Sequence, residues 1–180
     1  MASLPERVIG ALQLKSRAFE DVEHDRTATV QAGAVVALAA VSAGLASLTV
    51  GGLLTGVVVG LLGWVIGAAI LLFVGTRLLP GKNTEADLGQ MLRTLGFAQS
   101  PGLFQFLGGI SFLGLGAIIL LGLWVWILVA MVVAVRQALD YEDTQRALIT
   151  CAVAWGIMLL IKIVGNFIGI GATTVASGAL

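Results

Sequence analysis

Charged and apolar positions are laid out along this chain in long blocks. No charged side chain occurs from Thr27 through Thr76 or from Thr94 through Val135, and beyond Arg146 only Lys162 remains. A membrane-crossing helix needs about 20 consecutive apolar residues, and both blocks exceed that. The first is fifty residues long and as one helix would reach ~75 Å, against a hydrocarbon core of ~30 Å, so it must fold back. Thr49-Val50-Gly51-Gly52 is the natural turn, since paired glycines supply the angles a tight reversal needs. The pattern predicts a first span at 29–48 and a second at 53–79, closed by Pro80-Gly81. The next block has breaks at Gly108-Gly109 and at Leu113-Gly114-Leu115-Gly116, which predict spans at 101–113 and 117–138, the former short for a full crossing. A fifth span follows at 147–170.

The predicted fold class is an all-α integral membrane protein, with five transmembrane helices preceded by an amphipathic interfacial N-terminal helix. Residues 1–28 form the amphipathic segment, 29–171 the membrane domain and 172–180 a short tail. Within Leu4–Asp25, Val8, Leu12, Phe19 and Val22 recur at roughly helical spacing, with Glu6, Arg7, Lys15, Arg17, Glu20, Asp21 and Glu23 between them. Such a helix either buries one face in the headgroup boundary or packs on neighbouring loops. Glu85–Phe97 is a second amphipathic piece.

Composition agrees: the chain is 58% hydrophobic and 11% charged, where a soluble domain carries about 25% charged residues. Ten Lys and Arg balance ten Asp and Glu, which excludes a strongly basic nucleic-acid binder. The positions of the cations orient the chain. In a five-span arrangement with the N-terminus cytoplasmic, Arg7, Lys15, Arg17, Arg26, Arg77, Lys82, Arg93, Arg136 and Arg146 all fall on the cytoplasmic side. The positive-inside rule asks for that split. The expected location is a cytoplasmic (inner) membrane, with the C-terminus on the opposite face.

Candidate chemistry is sparse. All ten acids lie outside the predicted spans, which argues against proton relay through the bilayer. His24 reads as a solvated side chain, and Cys151 as a packed thiol in an apolar run. GTRLLPGKN, from Gly75 to Asn83, has the wrong glycine spacing for a phosphate loop and Asn83 where a hydroxyl is required. The sequence thus predicts no catalytic residue, no cofactor and no metal. Trp64, Trp124, Trp126 and Trp155 fall inside spans and read as packing or lipid-facing residues.

Two features inside the membrane call for a role. Lys162 is costly there, by roughly 2.5–3.5 kcal/mol at a helix centre, and Asn166 follows one turn later. Either Lys162 snorkels outward or it contacts a headgroup, a partner subunit or a substrate. Gly52, Gly56, Gly60, Gly63 and Gly67, with Gly165 and Gly169, form small-residue ridges that let helices approach closely in lipid. They pack one bundle, or they join copies or other membrane subunits.

Three stretches outside the spans resemble the Yip1 domain family as found in prokaryotes. FEDVEHDRTATVQA resembles its segment before span one, GKNTEADLGQMLRTLGFAQSP its loop before span three, and VRQALDYEDTQRAL its loop before the last helix. The resemblance covers nearly the whole chain and implies a five-span architecture, with no catalytic residues to transfer. Eukaryotic members, similar in their membrane domain, act in vesicle trafficking with small GTPases and commonly add a cytoplasmic N-terminal region, so that partner is not expected for this chain. The resemblance singles out Arg93, Gly96, Phe97 and Pro101 with Arg136, Gln137 and Asp140 as a candidate docking surface. Pairing of Arg93 and Arg136 with Asp140, Glu142 or Asp143 would make the set either a structural cluster or a docking site for a partner or anionic headgroups. The expected function is non-enzymatic: membrane organisation, or a subunit of a membrane complex. A small oligomeric transporter or channel is the alternative, to be recognised by a continuous polar cavity reaching Lys162 and Asn166.

Overall fold

A computed structural model describes residues 3–45, 50–82, 84–109 and 115–177, with side chains described as far as Phe167. The order is α1 (Leu4–Leu12), α2 (Ser16–His24), α3 (Ala28–Leu45), α4 (Val50–Phe73), a π-helical turn (Val74–Leu78), α5 (Leu88–Ala98), a 3-10 helix (Ser100–Gly109), α6 (Leu115–Ala138) and α7 (Thr144–Ser177). The described residues contain no strand. Four segments are long and apolar enough to cross a membrane: Ala28–Leu45, Leu53–Leu78, Leu115–Ala138 and Thr144–Phe167.

These four correspond to the predicted spans at 29–48, 53–79, 117–138 and 147–170. The predicted third span, 101–113, is a different object. Its described part is a ten-residue 3-10 helix, which at ~2.0 Å per residue covers ~20 Å. It runs beside α3 in the same direction. Gly96 lies against Ala32 and Gly102 against Ala39, while Ser42 Oγ donates to Leu103 O at 2.9 Å and accepts from Phe106 N at 2.9 Å. The predicted turn glycine Gly51 and the ridge glycine Gly52 lie within α4, and nothing is described of their surroundings. The expected tail is helical as far as Ser177, because α7 does not stop at Ile170.

The N-terminal segment is two helices, not one. Leu14 has φ 56°, and Lys15 N donates to Gly10 O at 3.0 Å, which turns the chain back on itself. The reversal brings α2 so close to α1 that a Cβ on Gly10 would lie 2.6 Å from Ala18 Cβ. Neither helix simply floats on a bilayer, since Phe19 and Val22 are fully buried and Trp126 Nε1 of α6 donates to Leu12 O at 3.1 Å. The amphipathic piece predicted at Glu85–Phe97 is α5. It begins at a reciprocal cap, with Asp87 Oδ1 accepting from Gln90 N at 2.8 Å and Gln90 Oε1 from Asp87 N at 2.7 Å.

Helix periodicity explains the core. On α3 the buried stripe is Ala28, Ala32, Val35, Ala39 and Ser42, and on α6 it is Leu123, Ile127, Ala130, Ala134 and Ala138. Both stripes advance by three or four residues, which keeps one face inward. Mostly small side chains let helices approach closely, the main means of packing in lipid. Burial is lopsided: α1, α2, α5 and the ends of α4 and α6 make a dense layer at one end, called here the polar end. The opposite end exposes Val58, Val59, Leu62, Ile118, Leu121, Leu159, Leu160 and Ile161.

Candidate functional site

The polar end is tied by side chains that reach backbone carbonyls. Arg93 of α5 is 6% exposed; its Nε donates to Val22 O at 3.0 Å and Glu23 O at 3.1 Å, and its Nη2 also reaches Glu23 O. It caps the C-terminal end of α2, where free carbonyls collect and a cation is favoured. Arg136 does the same for the turn after α6, donating from Nε to Tyr141 O at 3.2 Å and from Nη2 to Glu142 O at 3.0 Å, with Nη1 on Thr144 Oγ1 at 3.2 Å. The expected pairing of these arginines with Asp140, Glu142 or Asp143 is therefore not what forms. Among the described residues the ion pair within 4 Å is Arg7–Asp25, and Arg7 Nη1 also donates to Gln31 Oε1 at 2.8 Å.

The seven candidate docking residues lie at this end, but they do not make one surface. Arg93, Gly96, Phe97 and Pro101 are buried. A Cβ at Gly96 would sit 2.6 Å from Ala32 Cβ and 3.1 Å from Ala32 backbone atoms, so glycine there is what lets α5 touch α3. Arg136 and Gln137 are half-buried, and Asp140 is exposed at the turn with φ 50°. Gln137 and Asp140 thus remain as outward polar groups of the set, the Arg136 guanidinium being taken up by the turn.

Sequence reasoning passed over Tyr141, the sole tyrosine of the chain. It is 4% exposed, and its Oη lies 2.8 Å from Leu79 O, 3.3 Å from Gly75 O and 3.1 Å from Thr150 Oγ1. A π-helical turn releases carbonyls from the regular ladder, and one hydroxyl gathers those at the end of α4 onto α7. Gly75 makes room for this, as a Cβ there would lie 2.3 Å from Leu139 Cδ1. Thr84 Oγ1 donates to Leu139 O at 2.9 Å, and Arg146 Nη1 donates to Pro80 O. The signal was present in DYEDTQRAL, where a lone tyrosine follows a long apolar helix.

Glu23 is also buried, at 4% exposure. Desolvation, reinforced by the nearby Asp140 charge, pushes its carboxyl up to about 7. Gln90 Nε2 donates to its Oε1 at 3.3 Å. Hydrogen bonds from Thr27 first, then the Arg7 pairing, hold Asp25 down at about 2.

Inside the membrane-spanning part, α3, α4, α6, α7 and the 3-10 helix line a half-open cavity of about 960 Å³. Gly60, Gly63, Gly67, Trp64, Trp124 and Trp155 contribute to its walls, and Lys162, Gln99 and Gln105 are its polar side chains; Asn166 is not on it. The glycines divide accordingly. A Cβ on Gly60 would meet Ala40 Cβ at 3.0 Å and one on Gly56 would meet Ala40 O at 3.9 Å, so these two pack α4 on α3. One on Gly67 would meet only Met158 Cε at 3.7 Å, and Gly63 and Gly165 have nothing within 4 Å. The side-chain surroundings of Gly52 and Gly169 lie outside those described. Trp64 Nε1 donates to Leu92 O at 3.0 Å, which fixes one wall.

Four apolar membrane-length helices, capped at one end by a packed polar layer, define a multi-pass helical membrane protein. A family model, the Yip1 domain, matches residues 9–165, and the chain belongs to that family. No curated protein and no solved structure matches it.

Proposed function

We propose that this protein is a non-enzymatic, five-pass membrane protein that organises its bilayer or serves as a subunit of a membrane complex. The observation that carries the reading is the construction of the polar end. Arg93, Arg136, Tyr141 and Thr84 are all committed to holding helices together through backbone carbonyls, a scaffold rather than a reaction centre. Five passes follow if the stretch that opens with the 3-10 helix, leaving the polar end beside α3, is counted with the four membrane-length helices. The charge distribution supports a cytoplasmic polar end with the C-terminus opposite, and the proposed location is an inner membrane. Copies of the chain or other membrane subunits are the expected partners, alongside the bilayer itself.

Transport is the competing reading, and the walls of the cavity speak against it. They reach Lys162 but not Asn166, and glycine, tryptophan and aliphatic side chains dominate them. Reconstitution into liposomes separates the two. An organiser leaves the bilayer impermeable to ions and small solutes and is recovered from native membrane as an assembly larger than one chain. Solute flux that Lys162→Met abolishes would overturn the proposal in favour of transport.

A further inference from the structure

We propose that the cavity between α3, α4, α6, α7 and the 3-10 helix is the binding site of one phospholipid with a net negative headgroup. Its acyl part lies against the glycine face of α4, and its phosphate lies at Lys162. The inference deepens the proposed role in bilayer organisation and rests on the depth, wall chemistry and charge of the cavity.

Depth comes first. The wall runs along α4 from Val59 to Leu71, twelve residues or ~18 Å of helix. That is about one leaflet of a ~30 Å hydrocarbon core. The volume, about 960 Å³, is at the upper end of the ~300–1,000 Å³ range of small-molecule sites. The space is real at Gly63, where a Cβ would meet nothing within 4 Å. A void of this size in hydrocarbon loses the dispersion contacts of its whole lining, and mainly apolar walls do not hold water well. Alkyl chains satisfy both conditions.

Charge then selects the headgroup. Lys162 lies sixteen residues beyond Arg146, or ~24 Å along α7, which brings its ammonium close to the headgroup level opposite the polar end. Trp155, Met158 and Lys162 share the cavity-facing side of α7, at intervals of three and four residues. On α7 the nearest acid in sequence precedes the helix at Asp143, nineteen residues or ~28 Å away. Every other acid in the chain precedes it in sequence, outside the spans. The protein therefore supplies no counter-ion from that helix, and an anionic ligand would. Gln105 lies at the same end: Gly102 faces Ile127 and Gly108 faces Leu120, which puts Gln105 level with the middle of that stretch of α6, near Trp124. Its amide can donate to a headgroup or ester oxygen.

Native mass spectrometry of the full chain in mild detergent tests this, with dioleoyl phosphatidylglycerol, dioleoyl phosphatidylcholine and inorganic phosphate as probes. The expected result is one phosphatidylglycerol adduct, bound about tenfold more tightly than phosphatidylcholine, and no competition by inorganic phosphate. Lys162→Met should abolish the preference between the lipids. Gly63→Phe should fill the cavity and remove the adduct while far-UV circular dichroism still reports a helical chain with a cooperative melt. If Gly63→Phe does not fold, Lys162→Met decides the question alone. Equal binding of the two lipids, or a preference that survives Lys162→Met, overturns the site. Phosphate competing as well as lipid shows an anion site without an acyl requirement, and also overturns it. The failure of the organising role would show separately, as solute flux in liposomes.

Discussion

Replacing Tyr141 with Phe tests whether one hydroxyl joins the end of α4 to the start of α7. The ring remains, so packing is preserved and only the hydrogen bonds go. Leu79 O, at 2.8 Å, and Gly75 O, at 3.3 Å, lose a donor, and Thr150 Oγ1, at 3.1 Å, loses a partner. Tyr141 is 4% exposed, so water does not readily replace the hydroxyl. A buried polar group left unsatisfied costs ~1–3 kcal/mol; with the Leu79 carbonyl dominant by distance, about 2 kcal/mol is expected. For a chain of this size, 1 kcal/mol corresponds to ~2–4 °C in Tm, so thermal unfolding in detergent should shift downward by ~4–8 °C. Thr150→Val leaves the tyrosine its carbonyls and should cost less than ~1 kcal/mol. The double variant should be less destabilised than the sum, because the two hydroxyls share one contact. A Tyr141→Phe Tm within ~1 °C of wild type would refute the tie.

Other positions give sharp contrasts. Gly96→Leu would drive a side chain into Ala32, whose Cβ is 2.6 Å from the position a Cβ would take. It should cost ~3 kcal/mol or more and cut the yield of folded protein on size-exclusion chromatography. Gly60→Leu meets Ala40 Cβ at 3.0 Å and should lower Tm by general misfolding of the α3–α4 pair; lost assembly with unchanged Tm would instead place Gly60 at an interface between copies. Glu23, with a folded pKa of about 7 against an unfolded value near 4.3, binds its proton more tightly when folded. Stability from this group is full below ~4.3 and falls as pH rises towards 7, by about 1–2 kcal/mol after allowance for solvent screening. Glu23→Gln should flatten Tm against pH in that window, and an unchanged slope would show that Glu23 is not the group that titrates. Asp25 is held at about 2, so its contribution is present at neutral pH and lost only as pH falls from ~4 towards 2; Asp25→Asn should remove that acid limb.

The membrane-spanning helices were legible because their determinant is local: a helix in lipid must be apolar along its length, and runs without charge mark it. The third predicted span shows where that logic stops. Pro101 through Gly109 is apolar enough, but Gly102, Gly108 and Gly109 and the proline weaken an α-helix. The segment settles into a 3-10 helix because α3 offers Ser42 and Ala39 as contacts. Sequence periodicity cannot see that partner. The break at Leu14 was hidden for a similar reason: a leucine with φ 56° has no composition signal, and only Gly10 facing Ala18 across the reversal reveals it. In the candidate docking set, family resemblance pointed to Arg93 and Arg136 as part of a surface, and the structure places both on backbone carbonyls. Their roles were not legible because an arginine that caps carbonyls and one that waits for a partner have the same sequence signature. Lys162 was visible at once, since its cost does not depend on the fold. The cavity beside it was not, because glycines that close a gap and glycines that leave one share the same spacing.

The lopsided burial has a physical cause that ties these observations together. Lipid tails are as apolar as leucine, so burying apolar surface drives little association between helices within the bilayer. At the polar end, water is near, and there burial does stabilise. The five largest fully buried side chains, Phe19, Phe97, Leu71, Met91 and Leu139, belong to the elements that make up that end or run into it. Hydrogen bonds from Arg93, Arg136, Tyr141 and Thr84 lock the same elements. With the bundle secured from one side, the opposite half is free of the need to pack tightly, and an open face at Gly63 can persist beside Lys162. A protein stabilised in this way can hold an amphiphile in its far half without weakening the interactions that keep it folded. Substitutions at the polar end should therefore register in Tm, and those at the open part of the cavity, Gly63 and Lys162, in lipid binding and selectivity.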